Sequence, residues 1–165
     1  MIVLGIDPGF ARVGYGVIKK ERGKVSAVDF GCITTTQKNS LADRLVLISQ
    51  DIKKLLQKHR PHQCALEKLF FFKNAKTALG VAEARGALIL SIREQQVPLF
   101  EYTPLQVKQA LTGYGKADKN QIKFMVKRIL QIRNNFPLDD TSDALAIAIC
   151  HAHSICERIA SRPLH

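Results

Sequence analysis

Residues 2–18 read Ile2-Val-Leu-Gly5-Ile-Asp7-Pro-Gly9-Phe-Ala-Arg12-Val-Gly14-Tyr-Gly16-Val-Ile18. Ile2–Ile6 is a short apolar run stopped by Asp7-Pro8-Gly9, and Val13–Ile18 resumes it beyond a turn. The stretch therefore predicts two strands with a short connection. Lys24–Thr35, entered through the turn signal Arg22-Gly23, supplies a third strand, and the three form an antiparallel meander.

The period then changes. Ser40 with Asp43 three residues on resembles a capping box, and Leu41, Leu45, Ile48, Ile52, Leu55 and Leu56 follow helical spacing on one face. Pro61 breaks that helix. Gln63–Glu67 reads as a short buried strand reached by a crossover, hence parallel to the first. A long helix is expected over 74–95, with small residues Ala82, Ala84, Gly86 and Ala87 that would let another helix approach, from this chain or a second copy. Pro98–Tyr102 is a fifth strand, and Thr103-Pro104 carries the cap chemistry of a helix running to about Leu111. Residues 112–117 read as a flexible loop. Asp118 opens a helix with Ile122, Met125, Val126, Ile129 and Ile132 inward and Lys119, Lys123 and Lys127 along another side; a last helix starts near Asp139. The order predicts an α/β fold, a mixed five-stranded sheet with three antiparallel strands followed by parallel additions and helices on its faces.

With 165 residues, 46% of them hydrophobic, the chain is expected to form a single domain over residues 1–165. Twenty-five Lys and Arg against 14 Asp and Glu give a net charge of +11, which points to a polyanionic partner, nucleic acid or an anionic membrane surface. No apolar run approaches the ~20 residues that span a bilayer. The apolar start is too short for a signal peptide, so a cytoplasmic protein is expected. Cys32, Cys64, Cys150 and Cys156 include no C-x-x-C pair and are expected to be reduced thiols. Cys150, His151, His153 and Cys156 point to several sides of one helix, which disfavours a metal site there.

In so basic a chain the placement of the acids is informative. Asp7 interrupts an apolar strand and Glu67 closes another, positions where an ionised carboxylate needs a cation or hydrogen bonds. On parallel neighbouring strands both would project at one end of the sheet. Asp140 and Asp143, spaced i, i+3, share a helix face that could close over those ends. Four clustered carboxylates fit hard divalent cations, Mg²⁺ or Mn²⁺, and two such ions can drive in-line phosphodiester hydrolysis without a nucleophilic side chain. Asp7 before Pro-Gly also suits a turn, and Asp139 and Asp140 also suit a helix N-terminus.

At these residues the sequence strongly resembles the RuvC family of Holliday junction resolvases, in the ribonuclease-H-like superfamily. The resemblance is carried by Gly5-Ile-Asp7-Pro-Gly9 with Gly14-Tyr-Gly16, Glu67 before Phe70, Ala84-Arg-Gly86, Gln106-Val-Lys108-Gln109 and Asp140-Thr-Ser-Asp143-Ala-Leu-Ala. It implies a ribonuclease-H-like fold and a homodimeric, Mg²⁺-dependent endonuclease of recombination and DNA repair. Such an enzyme makes paired nicks in four-way DNA junctions and works with the RuvA–RuvB branch-migration complex. By motif position it assigns Asp7, Glu67, Asp140 and Asp143 as catalytic acids and ligands of two Mg²⁺ per subunit, with Mn²⁺ a possible substitute. Asp139 falls outside the motif register. Lys108 and Lys119 match the family's basic residues, and Phe70 an aromatic that contacts unpaired bases; Phe71 and Phe72 equally suit a hydrophobic anchor.

The expected nucleic-acid surface comprises Phe70, Lys73, Lys76, Arg85, Lys108, Lys116, Lys119, Lys123 and Lys127, touching mainly phosphate. Two other functions compete. An inactive junction-binding protein on the same fold is disfavoured because all four acid positions are filled. An actin-like kinase or ATPase shares the Asp-x-Gly strand turn but needs a second such domain, for which 165 residues leave no room.

Overall fold

A computed structural model of the chain describes residues 1–68, 75–134, 136 and 138–160, the side chains of 75–77 and 155–160 excepted. Its elements are β1 (Ile2–Asp7), β2 (Arg12–Glu21), β3 (Lys24–Thr34), α1 (Leu41–His59), β4 (Gln63–Glu67), α2 (Ala75–Glu94), β5 (Leu99–Tyr102), α3 (Pro104–Thr112), α4 (Lys119–Leu130) and α5 (Asp139–Ala160). One five-stranded sheet runs in the order β3-β2-β1-β4-β5, with β1 antiparallel to β2 and parallel to β4. The expected meander and parallel additions are both present.

β2 extends past Ile18 to Glu21 because Lys19, Lys20 and Glu21 pair with Ser26, Val25 and Lys24. Arg22 (φ 47°) and Gly23 (φ 80°) make the two-residue reversal of a right-twisted hairpin.

Strand alternation splits the core. Leu4, Ile6, Val13, Val17, Cys64 and Leu66 face a cluster completed by Ile48, Ile52 and Leu56 of α1 and Ala84, Leu88 and Ile92 of α2. Val3, Ile18 and Ala65 belong to the opposite cluster, with α5 and the inner faces of α3 and α4. Residues 144–150 of α5 are all buried, as expected of a helix apolar on every side and enclosed between other elements.

Glycines set how close α5 comes. Gly5 and Gly16 are partners across β1 and β2, and Gly14 is the partner of Asp7. A Cβ at Gly5 would lie 2.7 Å from the Ala148 nitrogen and 2.8 Å from its Cβ. At Gly16 it would lie 2.7 Å from Leu145 Cδ2 and 2.9 Å from Leu145 Cα, and at Gly14 it would run into the Asp140 backbone. Glycine in a strand interior weakens the strand, and a close backbone approach is its usual reason.

Two details depart from the sequence reading. In α1, Leu41 is 44% exposed, whereas Arg44 is buried one turn before Ile48. Arg44 Nη2 donates to the Phe10 carbonyl (3.0 Å), its Nε donates to Thr35 Oγ1 (2.9 Å), and the guanidinium stacks 3.4 Å from the Phe10 ring centroid. Those partners make its burial tolerable. Residues 112–117, expected to be flexible, form a pinned turn. Gly113 caps α3 at φ 70°, the Tyr114 N–H donates to Thr112 Oγ1 (3.1 Å), and that hydroxyl donates to the Lys108 and Tyr114 carbonyls.

Gly5→Ala forces a methyl group against helix backbone that no side-chain rotation can clear. It should destabilise the chain by about 3 kcal/mol, as overpacking of a tight core does, read as a lower urea midpoint at unchanged slope. A midpoint equal to the parent's would mean α5 is free to move outward.

Candidate active site

The parallel register of β1 and β4 matches Gly5 with Ala65 and Ile6 with Leu66, so one further step sets Asp7 beside Glu67. Both side chains project to the α5 side. Asp140 and Asp143 lie in the first turns of α5, where the helix dipole favours negative charge, and the Gly14 contact presses Asp140 toward β2. A hydrogen bond between Cys32 Sγ and Thr141 Oγ1 (3.4 Å) ties the same turn to β3. All four acids singled out from the sequence thus meet at one end of the sheet.

Their electrostatics are those of crowded like charges. Burial first, then the charges of Glu67, Asp143 and Asp140, hold the Asp7 carboxyl well above the usual carboxylate range. Glu67 is pushed up to about 7 by burial and by Asp143, although a hydrogen bond with Asp7 and the charge of Lys119 pull it back. Two carboxyls that raise each other in this way titrate as a coupled pair. Burial also raises Asp143, against the opposing pull of Lys119.

Basic side chains answer this charge. Arg12 Nε lies 3.2 Å from Asp140 Oδ2, and Lys119 Nζ lies 3.2 Å from Asp143 Oδ2 and 3.6 Å from Asp139 Oδ2. Burial acts to lower the Lys119 ammonium, but Asp143, Asp139 and Asp140 together raise it. With these ion pairs formed, no group of three or more His, Cys, Asp or Glu side chains among the described residues is arranged to hold a metal ion. The donor set nevertheless fits one. It consists of carboxylate oxygens only, at the preferred chemistry of Mg²⁺ and Mn²⁺, and crowds charge that a divalent cation would relieve.

A cleft of about 260 Å³ opens beside the acids, lined by Glu67, Asp143, Lys108 and Lys119 with Pro104 and Val107. A larger cavity of about 620 Å³ involves Lys20, Gln106 and His153, and no carboxylate lines it among the described residues. The smaller cleft is the chemically relevant one, because it joins the acids to two lysines.

The remaining expected residues are distributed as follows. Lys116 is exposed on the turn before α4, Lys123 Nζ donates to Asp139 Oδ1, and Lys127 lies 5.7 Å from the Phe136 ring centroid. Asp139 is therefore a strut between α4 and α5. Arg85 is not brought to the cleft; it pairs with Glu101 of β5. Phe70, Phe71, Phe72 and Lys73, and the side chain of Lys76, lie outside the described residues. His151 is fully buried, its ring nitrogens hydrogen-bonded with the Tyr102 hydroxyl (2.7 Å) and Gln63 Oε1 (2.8 Å). Sequence reasoning missed Arg12 and Arg44. Only Arg44 left a signal, a lone cation at i−4 from Ile48 on an apolar face.

The sequence matches, over residues 3–151, the family described as Crossover junction endodeoxyribonuclease RuvC. The chain belongs to the RuvC family. It is 49% identical over 151 residues to the Crossover junction endodeoxyribonuclease RuvC of Finegoldia magna, covering 92% of each chain. Among solved structures it is similar to Thermus thermophilus RuvC, with a TM-score of 0.87 and 34% identity over 99% of this chain and 100% of that one. It matches T. thermophilus RuvC in complex with Holliday junction substrate equally well in TM-score, 0.87, at 32% identity over 95% and 96% of the two chains. The sheet order β3-β2-β1-β4-β5 with its flanking helices is the ribonuclease-H-like arrangement of RuvC structures. Among the described residues no helix is long and apolar enough to cross a membrane.

The raised Glu67 carboxyl has a thermodynamic consequence. Folding takes up a proton there between its ordinary value of 4.5 and about 7, so its contribution is fully present below the lower limit and is lost as pH rises through the upper. In chelator, Glu67→Gln should gain stability relative to the parent as pH rises from about 5 to about 8, by on the order of 2 kcal/mol. Thermal midpoints of the two proteins across that range measure it; a constant gap would contradict the assigned burial.

Proposed function

We infer that this chain is an endonuclease that resolves four-way DNA junctions, hydrolysing phosphodiester bonds at the cluster of Asp7, Glu67, Asp140 and Asp143. The observation that carries the site assignment is the meeting of four acids from three separate elements beside a cleft that also holds Lys108 and Lys119. Those acids would hold two divalent cations per subunit, Mg²⁺ with Mn²⁺ as a substitute. Bound there, such ions supply positive charge to the scissile phosphate and lower the pKa of water toward neutrality.

The chain's own residues do the positioning. Asp7, deepest in the cluster, and Glu67 keep fixed places because each ends a strand held on both sides by neighbours. Asp140 and Asp143 are set by the α5 contact with Gly14 and Gly5. Lys119 faces the acids while half exposed, so its ammonium can turn from Asp143 toward a phosphate entering the cleft. Lys108 lies on the same wall and adds charge where negative charge develops in the transition state. The lysines of α4 would hold the flanking duplex through its phosphates, with the steep salt dependence such contacts bring.

A homodimer accounts for paired nicks, since a two-fold axis places one site on each of two opposed strands. The outer face of α2 supports this reading: Leu79 and Leu90 are 67% and 61% exposed, on a helix that also leaves Gly86 uncovered. The chain would act as one domain in the cytoplasm, with the RuvA–RuvB branch-migration complex as its partner.

Asp7→Asn should leave junction affinity within about twofold while lowering nicking at least 100-fold, and Lys119→Met should lower nicking roughly 100-fold, as loss of one transition-state contact does. Gel-resolved nicking of a labelled four-way junction, paired with anisotropy binding, measures both. Unimpaired nicking by folded Asp7→Asn would sink the assignment.

A further inference from the structure

We propose that Phe124 and Tyr114 form an aromatic seat for an unpaired DNA base beside the cutting site, which rests on the reading of this chain as a junction nuclease. Phe124 is 61% and Tyr114 is 56% exposed. Single exposed apolar side chains are ordinary on a protein surface. These two differ in sharing a groove of about 490 Å³, in the size range of clefts that seat small ligands, with Asn120 also on its wall. Phe124 and Asn120 also border a second groove of about 450 Å³, lined further by Lys123, Lys127, Phe136 and Asp139, the acid that pairs with Lys123. The Phe124 ring is thus a ridge between an aromatic hollow and one with two lysines against a single acid. Tyr114 is presented from fixed backbone, because the Thr112 hydroxyl and the Gly113 cap pin its turn.

Charge selects the occupant. The twelve residues of α4 include Lys119, Lys123, Lys127 and Arg128 and no acid, and Lys116 is exposed just ahead of them. Two copies of this face would repel, which argues against a second copy of the chain. A polyanion with flat aromatic faces satisfies both features, since basic grooves track a nucleic-acid backbone while aromatic rings stack on unpaired bases. Position fits as well. The groove that Phe124 borders reaches Asp139, whose carboxylate lies 3.6 Å from the Lys119 ammonium that also contacts Asp143. A duplex base pair cannot offer its face to a ring. The seat therefore favours branched or locally opened DNA over linear duplex.

The test uses the full chain in chelator with synthetic four-way junctions, each carrying 2-aminopurine at one position within about four nucleotides of the cut. At one or two positions the parent should change the probe's fluorescence in the manner of stacking. Phe124→Ala should abolish that change and weaken junction binding roughly 5- to 100-fold. Phe124→Trp should retain both, Phe124→Leu should lose the signal, and linear-duplex affinity should move less than twofold. A thermal midpoint equal to the parent's excludes misfolding, as expected for so exposed a ring. Junction binding with no probe response at any position, or equal loss on junction and duplex, overturns the inference alone. Concentration-dependent self-association lost in Phe124→Ala, with DNA binding intact, overturns it in favour of a contact between copies. No junction binding by the parent at all would instead overturn the reading on which it rests.

Discussion

The contact between α5 and the glycines of β1 and β2 governs the rest of the molecule. Gly5, Gly14 and Gly16 put no side chain of their own on the face that α5 covers, and the helix comes within the distance a Cβ there would occupy. Each glycine gives up side-chain packing within a strand and adds backbone entropy to the unfolded chain. In return a helix of small apolar residues sits directly on the sheet, enclosed on its far side by α3 and α4. Asp140 and Asp143 reach the ends of β1 and β4 only because of that proximity. A helix held farther out would leave Asp7 and Glu67 facing a gap.

What is gathered there is unstable in isolation. Partly buried carboxylates repel one another and resist ionisation, and the chain answers with the cations Arg12 and Lys119. These ion pairs are surface contacts of modest strength, so they compensate the acids without locking them. A centre of concentrated negative charge thus sits within a chain of net charge +11. With those four acids set aside, ten acids oppose 25 basic residues, and α4 and its preceding turn collect several of the latter beside the cleft. In the proposed function the arrangement would separate two tasks that conflict at one place: holding a polyanion and crowding acids against its phosphate.

Much of this was legible in the sequence because the signals were local or periodic. The stop at Asp7-Pro8-Gly9, the caps at Ser40, Thr103 and Asp118, and the unbroken apolar strand ending at Glu67 each fix an element or an end. Four acids at strand ends and at one helix start follow from those elements once β1 and β4 are parallel. What escaped depends on contacts between distant segments. Arg44, a lone cation on an apolar helix face, has no visible partner until Phe10 and Thr35 are seen around it, and Arg12 reads as a turn residue until α5 brings Asp140 alongside. The Gly-rich run at 112–117 looked mobile because the Thr112 hydroxyl that ties it has no one-dimensional signature. The pairing of Arg85 with Glu101 likewise depends on where β5 lies, which no local pattern shows.

By lying on a glycine floor, α5 brings Asp140 and Asp143 to Asp7 and Glu67, where the proposed divalent-cation chemistry would act on branched DNA. The most direct measurement is incubation of the purified chain with a synthetic four-way junction and a linear duplex of matched sequence, each with and without Mg²⁺. Paired nicks should appear in opposed strands of the junction, only when Mg²⁺ is present, and the duplex should stay intact. Equal cutting of both substrates, or nicking that persists in chelator, would contradict the proposed function.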